Sequence, residues 1–90
     1  MSIKIDISLL SHQYTKGQQI VEVNGNTVGQ CLDDLIKQFP DIKQGLFDSN
    51  GKLHSYIDIY VNGESAYPEV LAKPVKAGDK LHIIFLIGGG

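Results

Sequence analysis

The stretch LHIIFLIGGG, Leu81–Gly90, runs a strongly apolar segment straight into three glycines. Leu81, Ile83, Phe85 and Ile87 alternate with His82, Ile84 and Leu86, the period of a β-strand. Gly78-Asp79 makes a tight turn into it. Glycine loses the most entropy on ordering and brings no side chain to pack. The tail therefore adds almost nothing to stability, and something other than folding accounts for it.

Working back from that strand, YIDIYVNG (Tyr56–Gly63) alternates as well. Ile57, Ile59 and Val61 share one face, Tyr56, Asp58 and Tyr60 the other, and Asn62-Gly63 signals a turn. Between the two strands, ESAYPEVLAKPVKAGDK reads as irregular, because Pro68 and Pro74 exclude regular structure. Upstream, NTVGQCLDDLIKQFP places Val28, Cys31, Leu32, Leu35, Ile36 and Phe39 on one helical stripe. Thr27 or Asn26 caps that helix and Pro40 stops it. DIKQGLF adds a short helical turn and DSNGK a chain reversal. At the start, SIKIDISLL sends Ile3, Ile5, Ile7 and Leu9 one way and Ser2, Lys4, Asp6 and Ser8 the other. QIVEVNG supplies the second arm of a hairpin with a long loop. The order is strand, strand, helix, strand, irregular piece, strand. This predicts an α+β fold with a mixed four- to five-stranded sheet and one main helix packed on one face. The expected division is a domain over residues 1–87 and a glycine tail over 88–90.

Ninety residues make one domain with a single modest core. The net charge is −2 and all eight cations are lysines, interleaved with acids. A chain without arginine forks or a basic stripe is not expected to bind nucleic acid. The single cysteine, Cys31, forms no internal disulfide and fits a reducing compartment. With neither a signal-peptide core nor a membrane-length apolar run, the expected location is the cytoplasm, away from membranes.

No internal catalytic constellation is legible. Cys31 lies on the apolar stripe and reads as a buried structural thiol. His12, His54 and His82 lack metal-ligand spacing, so no metal site is expected. Asp33-Asp34 reads as a solvated helix face. NGNTVG lacks the lysine and spacing of a phosphate loop.

The residues that sharpen this reading are IYVNGE (Ile59–Glu64), LAKPVKAGDKLHII (Leu71–Ile84) and the terminal Gly89-Gly90. Their order resembles the bacterial sulfur carrier family of ThiS and the small subunit of molybdopterin synthase (the ThiS/MoaD family), whose fold is the ubiquitin-like β-grasp. The resemblance covers most of the chain from the helix onward. GKLHSYIDIYVNGE (Gly51–Glu64) looks closer still to the CysO-type carriers of cysteine synthesis. Two features depart from the pattern. The tail has three glycines, and FLIGGG stands where many relatives of the molybdopterin synthase subunit have proline or alanine before the diglycine.

The resemblance implies a protein-borne substrate, not an enzyme, with no bound cofactor. An E1-like adenylyltransferase would use ATP to adenylate the Gly90 carboxylate. A sulfur source, such as a persulfide protein, would convert it to a thiocarboxylate, and a sulfur-accepting synthase would use it in a cysteine, thiamine or molybdopterin type of pathway. Gly90 is the expected reactive residue. Gly89 is expected to keep a narrow partner channel unobstructed, and Gly88 to provide reach, the three spanning roughly 10 Å. Tyr60, Ile84 and Leu86 form the expected partner-docking patch on the outward sheet face, unless the irregular AYPEVLAKPV segment covers them. Alternative readings are a ubiquitin-like modifier conjugated through Gly90, a small subunit held in a molybdopterin synthase-like complex, and an interaction module with an inert tail.

Overall fold

The computed structural model describes residues 2–8 and 17–85. Leu9, His12, Leu86, Ile87 and the glycines Gly88, Gly89 and Gly90 lie outside them.

Strand β1 spans Ile3–Asp6 and β2 spans Ile20–Val23, antiparallel with Ile3 opposite Val23 and Asp6 opposite Ile20. The expected hairpin is present. Ile3, Ile5, Val21 and Val23 point into the core, as does Ile7 just beyond β1.

Helix α1 spans Val28–Gln38. Thr27 is its cap: the extended backbone there lets Oγ1 accept from the Gln30 N–H at 3.2 Å. Gln30 reaches back in turn, its Oε1 accepting from the Asn26 N–H at 2.7 Å. Val28, Cys31, Leu32, Leu35 and Phe39 are buried on the sheet, while Ile36 is only half-buried. A 3-10 turn, Pro40–Ile42, and a one-turn helix α2, Lys43–Leu46, follow. Ile42 and Leu46 from these turns close the lower end of the core.

Strand β3 spans Ile57–Val61. Asn62 and Gly63 both adopt positive φ, 51° and 87°, the backbone that a tight two-residue hairpin demands. The hairpin delivers β4, Glu64–Ser65, paired with Tyr60 and Val61. This strand and a 3-10 turn at Val70–Ala72 interrupt the stretch read from sequence as irregular. A two-residue strand is too short to show a period.

The last strand, β5, spans Lys80–Phe85. It lies in the centre of the sheet, whose order is β2-β1-β5-β3-β4. It runs parallel to β1 and antiparallel to β3. A hairpin, a crossing helix and a C-terminal strand inserted beside the first strand make the β-grasp arrangement. One continuous core joins the inner sheet face to α1, with Ile5, Leu32, Leu35, Ile59, Leu81 and Ile83 among its fully buried members.

Segment 66–75 packs against the start of α1, where the Val28 N–H donates to the Lys73 carbonyl and the Val75 N–H to the Asn26 carbonyl, both at 3.0 Å.

Candidate docking face and C-terminal exit

Alternation along β1, β3 and β5 leaves a second set of side chains on the face away from the helix. One row crosses the sheet from Asp6 to His82, Tyr60 and Ser65, each directly opposite the next. Ile84 stands opposite Asp58 in the adjoining row. Tyr60 and Ile84 are therefore diagonal neighbours, within reach of each other's side chains. Both are half-buried. The structure brings these two members of the expected patch onto one open face; the third, Leu86, lies outside the described residues.

The polar members of this face are tied down locally. Asp58 Oδ2 accepts the Ser65 hydroxyl at 2.6 Å, and Ser65 Oγ accepts the Tyr67 N–H at 3.2 Å. Hydrogen bonds from Ser8 hold the Asp6 carboxyl below the usual aspartate range, and the nearby His82 and Lys80 reinforce the effect. His82 Nε2 lies 3.8 Å from Asp6 Oδ2, an ion pair when the imidazole is protonated. Around an apolar centre of Tyr60 and Ile84, the face thus carries fixed carboxylates and one histidine. A small apolar patch is thus framed by polar groups whose orientation is set locally.

The end of β5 has its own surroundings. Phe85, the last described residue of β5, pairs with Ile57, so the residues just before β3 lie beside it. The Tyr56 ring leans on Phe85, centroids 6.2 Å apart at 40°. The His54 ring stacks flat on Tyr56 at 4.9 Å and 11°. The sequence pattern groups Tyr56 with Asp58 and Tyr60 and offers His54 only as one of three histidines without metal-ligand spacing; neither pattern shows that the two rings stack.

Cys31 is fully buried, and burial with the nearby Asp34 charge pushes its thiol up to about 11. A thiol in that state is a packing group and not a nucleophile. Asp34 differs from its reading as a solvated group: its Oδ2 accepts the Asn24 N–H at 2.9 Å and pins the hairpin to the helix. Among the described residues, no group of three His, Cys, Asp or Glu side chains gathers as a metal site would require.

A hairpin, a crossing helix and a central strand β5 running parallel to β1 define a ubiquitin-like domain. The chain belongs to the ThiS family, whose sequence profile matches residues 10–90. It is 33% identical over 93 residues to the sulfur carrier protein CysO of Mycobacterium tuberculosis, with both chains covered completely. It is 35% identical over 71 residues to small archaeal modifier protein 1 of Haloferax volcanii, covering 78% of each. Among solved structures, the Amycolatopsis orientalis BexX/CysO complex contains a chain that superposes with a TM-score of 0.84 at 34% identity, covering 98% of this chain and 99% of that one.

Proposed function

We propose that this chain is a sulfur carrier whose Gly90 carboxylate is the working group. The observation that carries the reading is the family match, which extends through residue 90 and so includes the glycines beyond β5. Full-length similarity to a sulfur carrier supports it. The chain acts as a protein-borne substrate and relies on partner enzymes for catalysis. An E1-like adenylyltransferase lets the carboxylate attack the α-phosphorus of ATP and expels pyrophosphate. The acyl-adenylate is a far better electrophile than the carboxylate, because AMP is a competent leaving group. Sulfide then displaces AMP. Where a persulfide is the source, it gives an acyl disulfide that a thiol reduces. Either route ends in a thiocarboxylate with sulfur in place of one oxygen on Gly90. A sulfur-accepting synthase draws on it, with a cysteine-forming pathway favoured by the CysO likeness.

Gly88 and Gly89 give the tail reach and a cross-section without side chains. Tyr60 and Ile84, with Leu86, form the docking patch on the open sheet face. The BexX/CysO complex supports a carrier that works in contact with a partner protein.

The test is mass spectrometry of the C-terminal tryptic peptide Leu81–Gly90 from protein purified out of its own host. Replacing oxygen by sulfur shifts mass nearly as oxidation does, but this peptide holds neither Met nor Cys. A sulfur-shifted peptide that also takes up an alkylating reagent supports the carrier. The peptide found only as free carboxylate in cells starved of the acceptor, where a thiocarboxylate would accumulate, speaks against it. The likeness to a small archaeal modifier favours a second reading, conjugation through Gly90. That reading requires the same peptide joined to a lysine of another protein.

A further inference from the structure

Three asparagine–glycine pairs occur in the chain: Asn24-Gly25, Asn50-Gly51 and Asn62-Gly63. In an unfolded chain each can react with itself, because glycine has no side chain to keep its backbone nitrogen away from the preceding side-chain amide. The fold treats the three differently.

Asn62 is held at both ends of its amide. Its Nδ2 donates to Asp79 Oδ1 and its Oδ1 accepts the Lys80 N–H, both at 3.0 Å. Its backbone is fixed as well, at φ 51° in the turn between β3 and β4. Asn24-Gly25 is held through the main chain. The Asn24 N–H donates to Asp34 Oδ2 at 2.9 Å, and the Asn26 N–H to Gln30 Oε1 at 2.7 Å. Gly25, between them, lies so close to α1 that a Cβ would meet the Cys31 nitrogen at 2.8 Å. The peptide unit there has no room to swing toward the Asn24 side chain.

Asn50-Gly51 lacks both restraints. The two residues are exposed, and the Asn50 side-chain amide makes no hydrogen bond among the described residues. Nothing lies within 4 Å of the place where a Cβ of Gly51 would stand. The chain reversal is anchored on Asp48 instead. Asp48 Oδ1 accepts the Asn50 and Lys52 N–H groups at 2.8 and 3.1 Å, and the Asp48 carbonyl accepts the Gly51 N–H at 3.0 Å. That last bond lies in an exposed turn, where local opening costs little. The Phe47–Leu53 bridge closes the loop without using the Asn50 side chain.

We propose that Asn50 is a site of spontaneous deamidation in the folded protein, with Asn24 and Asn62 protected by the fold. The Gly51 nitrogen attacks Asn50 Cγ and closes a succinimide ring. The Cγ–Nδ2 bond breaks, and ammonia leaves with the proton of the Gly51 N–H. Water then opens the ring at either carbonyl, giving aspartate or isoaspartate, the latter with an extra carbon in the main chain. Either product adds one negative charge next to Asp48. The reaction needs water alone, so this inference goes beyond the carrier reading and stands apart from it.

The experiment incubates the folded chain, and the same chain in guanidinium chloride, in mildly alkaline buffer until the unfolded sample is half converted. Trypsin then separates the three pairs into peptides Gly17–Lys37, Gln44–Lys52 and Leu53–Lys76, since Pro74 shields the bond after Lys73. In the unfolded sample all three should gain the mass of an NH2-to-OH exchange at comparable rates. In the folded sample Gln44–Lys52 should react nearly as fast, and resolve into aspartyl and isoaspartyl forms by chromatography. The other two should be slower by about tenfold or more, the factor imposed by breaking one or two hydrogen bonds first. Asn50→Gln should abolish the shift in its peptide. Asp79→Ala frees the Asn62 amide and should bring Leu53–Lys76 toward its unfolded rate. Three peptides that react alike in the folded chain overturn the protection, and an intact Gln44–Lys52 overturns Asn50 as the site. The comparison of folded with unfolded wild type decides both points should Asp79→Ala fail to fold.

Discussion

The Asn62 side-chain amide donates to Asp79 Oδ1 at 3.0 Å and accepts the Lys80 N–H at 3.0 Å. Two turns, one after β3 and one before β5, are thereby locked together at the end of the sheet opposite the C-terminal exit. Asp79 is only 9% exposed, and its Oδ2 also accepts the Lys76 N–H at 2.9 Å. Removing Asp79 leaves both the Asn62 amide and the Lys76 N–H without this acceptor. Asp79→Ala is predicted to cost about 1–3 kcal/mol in urea unfolding. Asn62→Ala should cost less, because Asp79 keeps the Lys76 bond. The double variant should show positive coupling, and additive costs would contradict the clamp.

The pH dependence follows from carboxylates held ionised. Asp79 is depressed first by the Asn62 amide, Asp48 by the Lys52 N–H, and Asp6 by Ser8. A depressed folded pKa means that the unfolded chain binds protons first as the solution is acidified. Their stabilisation is complete above the ordinary aspartate range, near 4, and is lost as pH falls through the lower folded values. Cys31 acts on the alkaline side. Its thiol stays protonated to about 11 in the fold, against 9.0 for the free group, so stability falls as pH rises through that window. Melting temperature against pH should thus show a plateau with an acid shoulder and an alkaline one. Cys31→Ser should weaken the alkaline shoulder, and Asp79→Asn the acid one.

Glycine at position 25 is a steric requirement. A Cβ there would meet the Cys31 backbone nitrogen at 2.8 Å and Gln30 Cβ at 2.9 Å. These atoms belong to the first turn of α1 and have nowhere to go. Gly25→Ala is predicted to destabilise by about 1–3 kcal/mol. At Gly29 the nearest neighbour is the Leu71 carbonyl oxygen at 3.1 Å, and the gain in helix propensity offsets part of the strain. Thermal melts should rank Gly25→Ala clearly below Gly29→Ala.

In the core, Leu32→Ala is predicted to cost about 2–5 kcal/mol, for Leu32 is fully buried between the sheet and α1. The Thr27→Ala cap variant should cost about 1 kcal/mol. Equal losses from the two in chemical denaturation would mean that α1 does not carry the core.

On the open face, Ile84→Asp introduces a charge opposite Asp58 without touching the core. Fold stability should change by less than about 1 kcal/mol, while partner binding, read by titration calorimetry, weakens by about tenfold or more. Unchanged binding would remove Ile84 from the docking patch.

Much of this was readable from the chain. Period two put Ile3, Ile5, Ile57, Ile59, Leu81 and Ile83 inside, and all six are buried. The α1 stripe placed five of its six apolar residues correctly, with Ile36 only half-buried. The same alternation put Tyr60 and Ile84 together on the outer face. What the sequence concealed was non-periodic. β4 exists because the Asn62-Gly63 turn folds two residues back on β3. Asp34 looked solvated because its partner, the Asn24 N–H, is a backbone group ten residues away. The contact of the Tyr56 ring with Phe85 depends on a long-range strand register that brings Phe85 beside Ile57.

The central position of β5 also has a mechanical meaning. With β1 parallel on one side and β3 antiparallel on the other, a pull on the C-terminus along the strand axis loads two hydrogen-bond ladders at once, in shear. An edge strand pulled the same way would load a single ladder. The body of the domain therefore resists a pull along β5 as one piece.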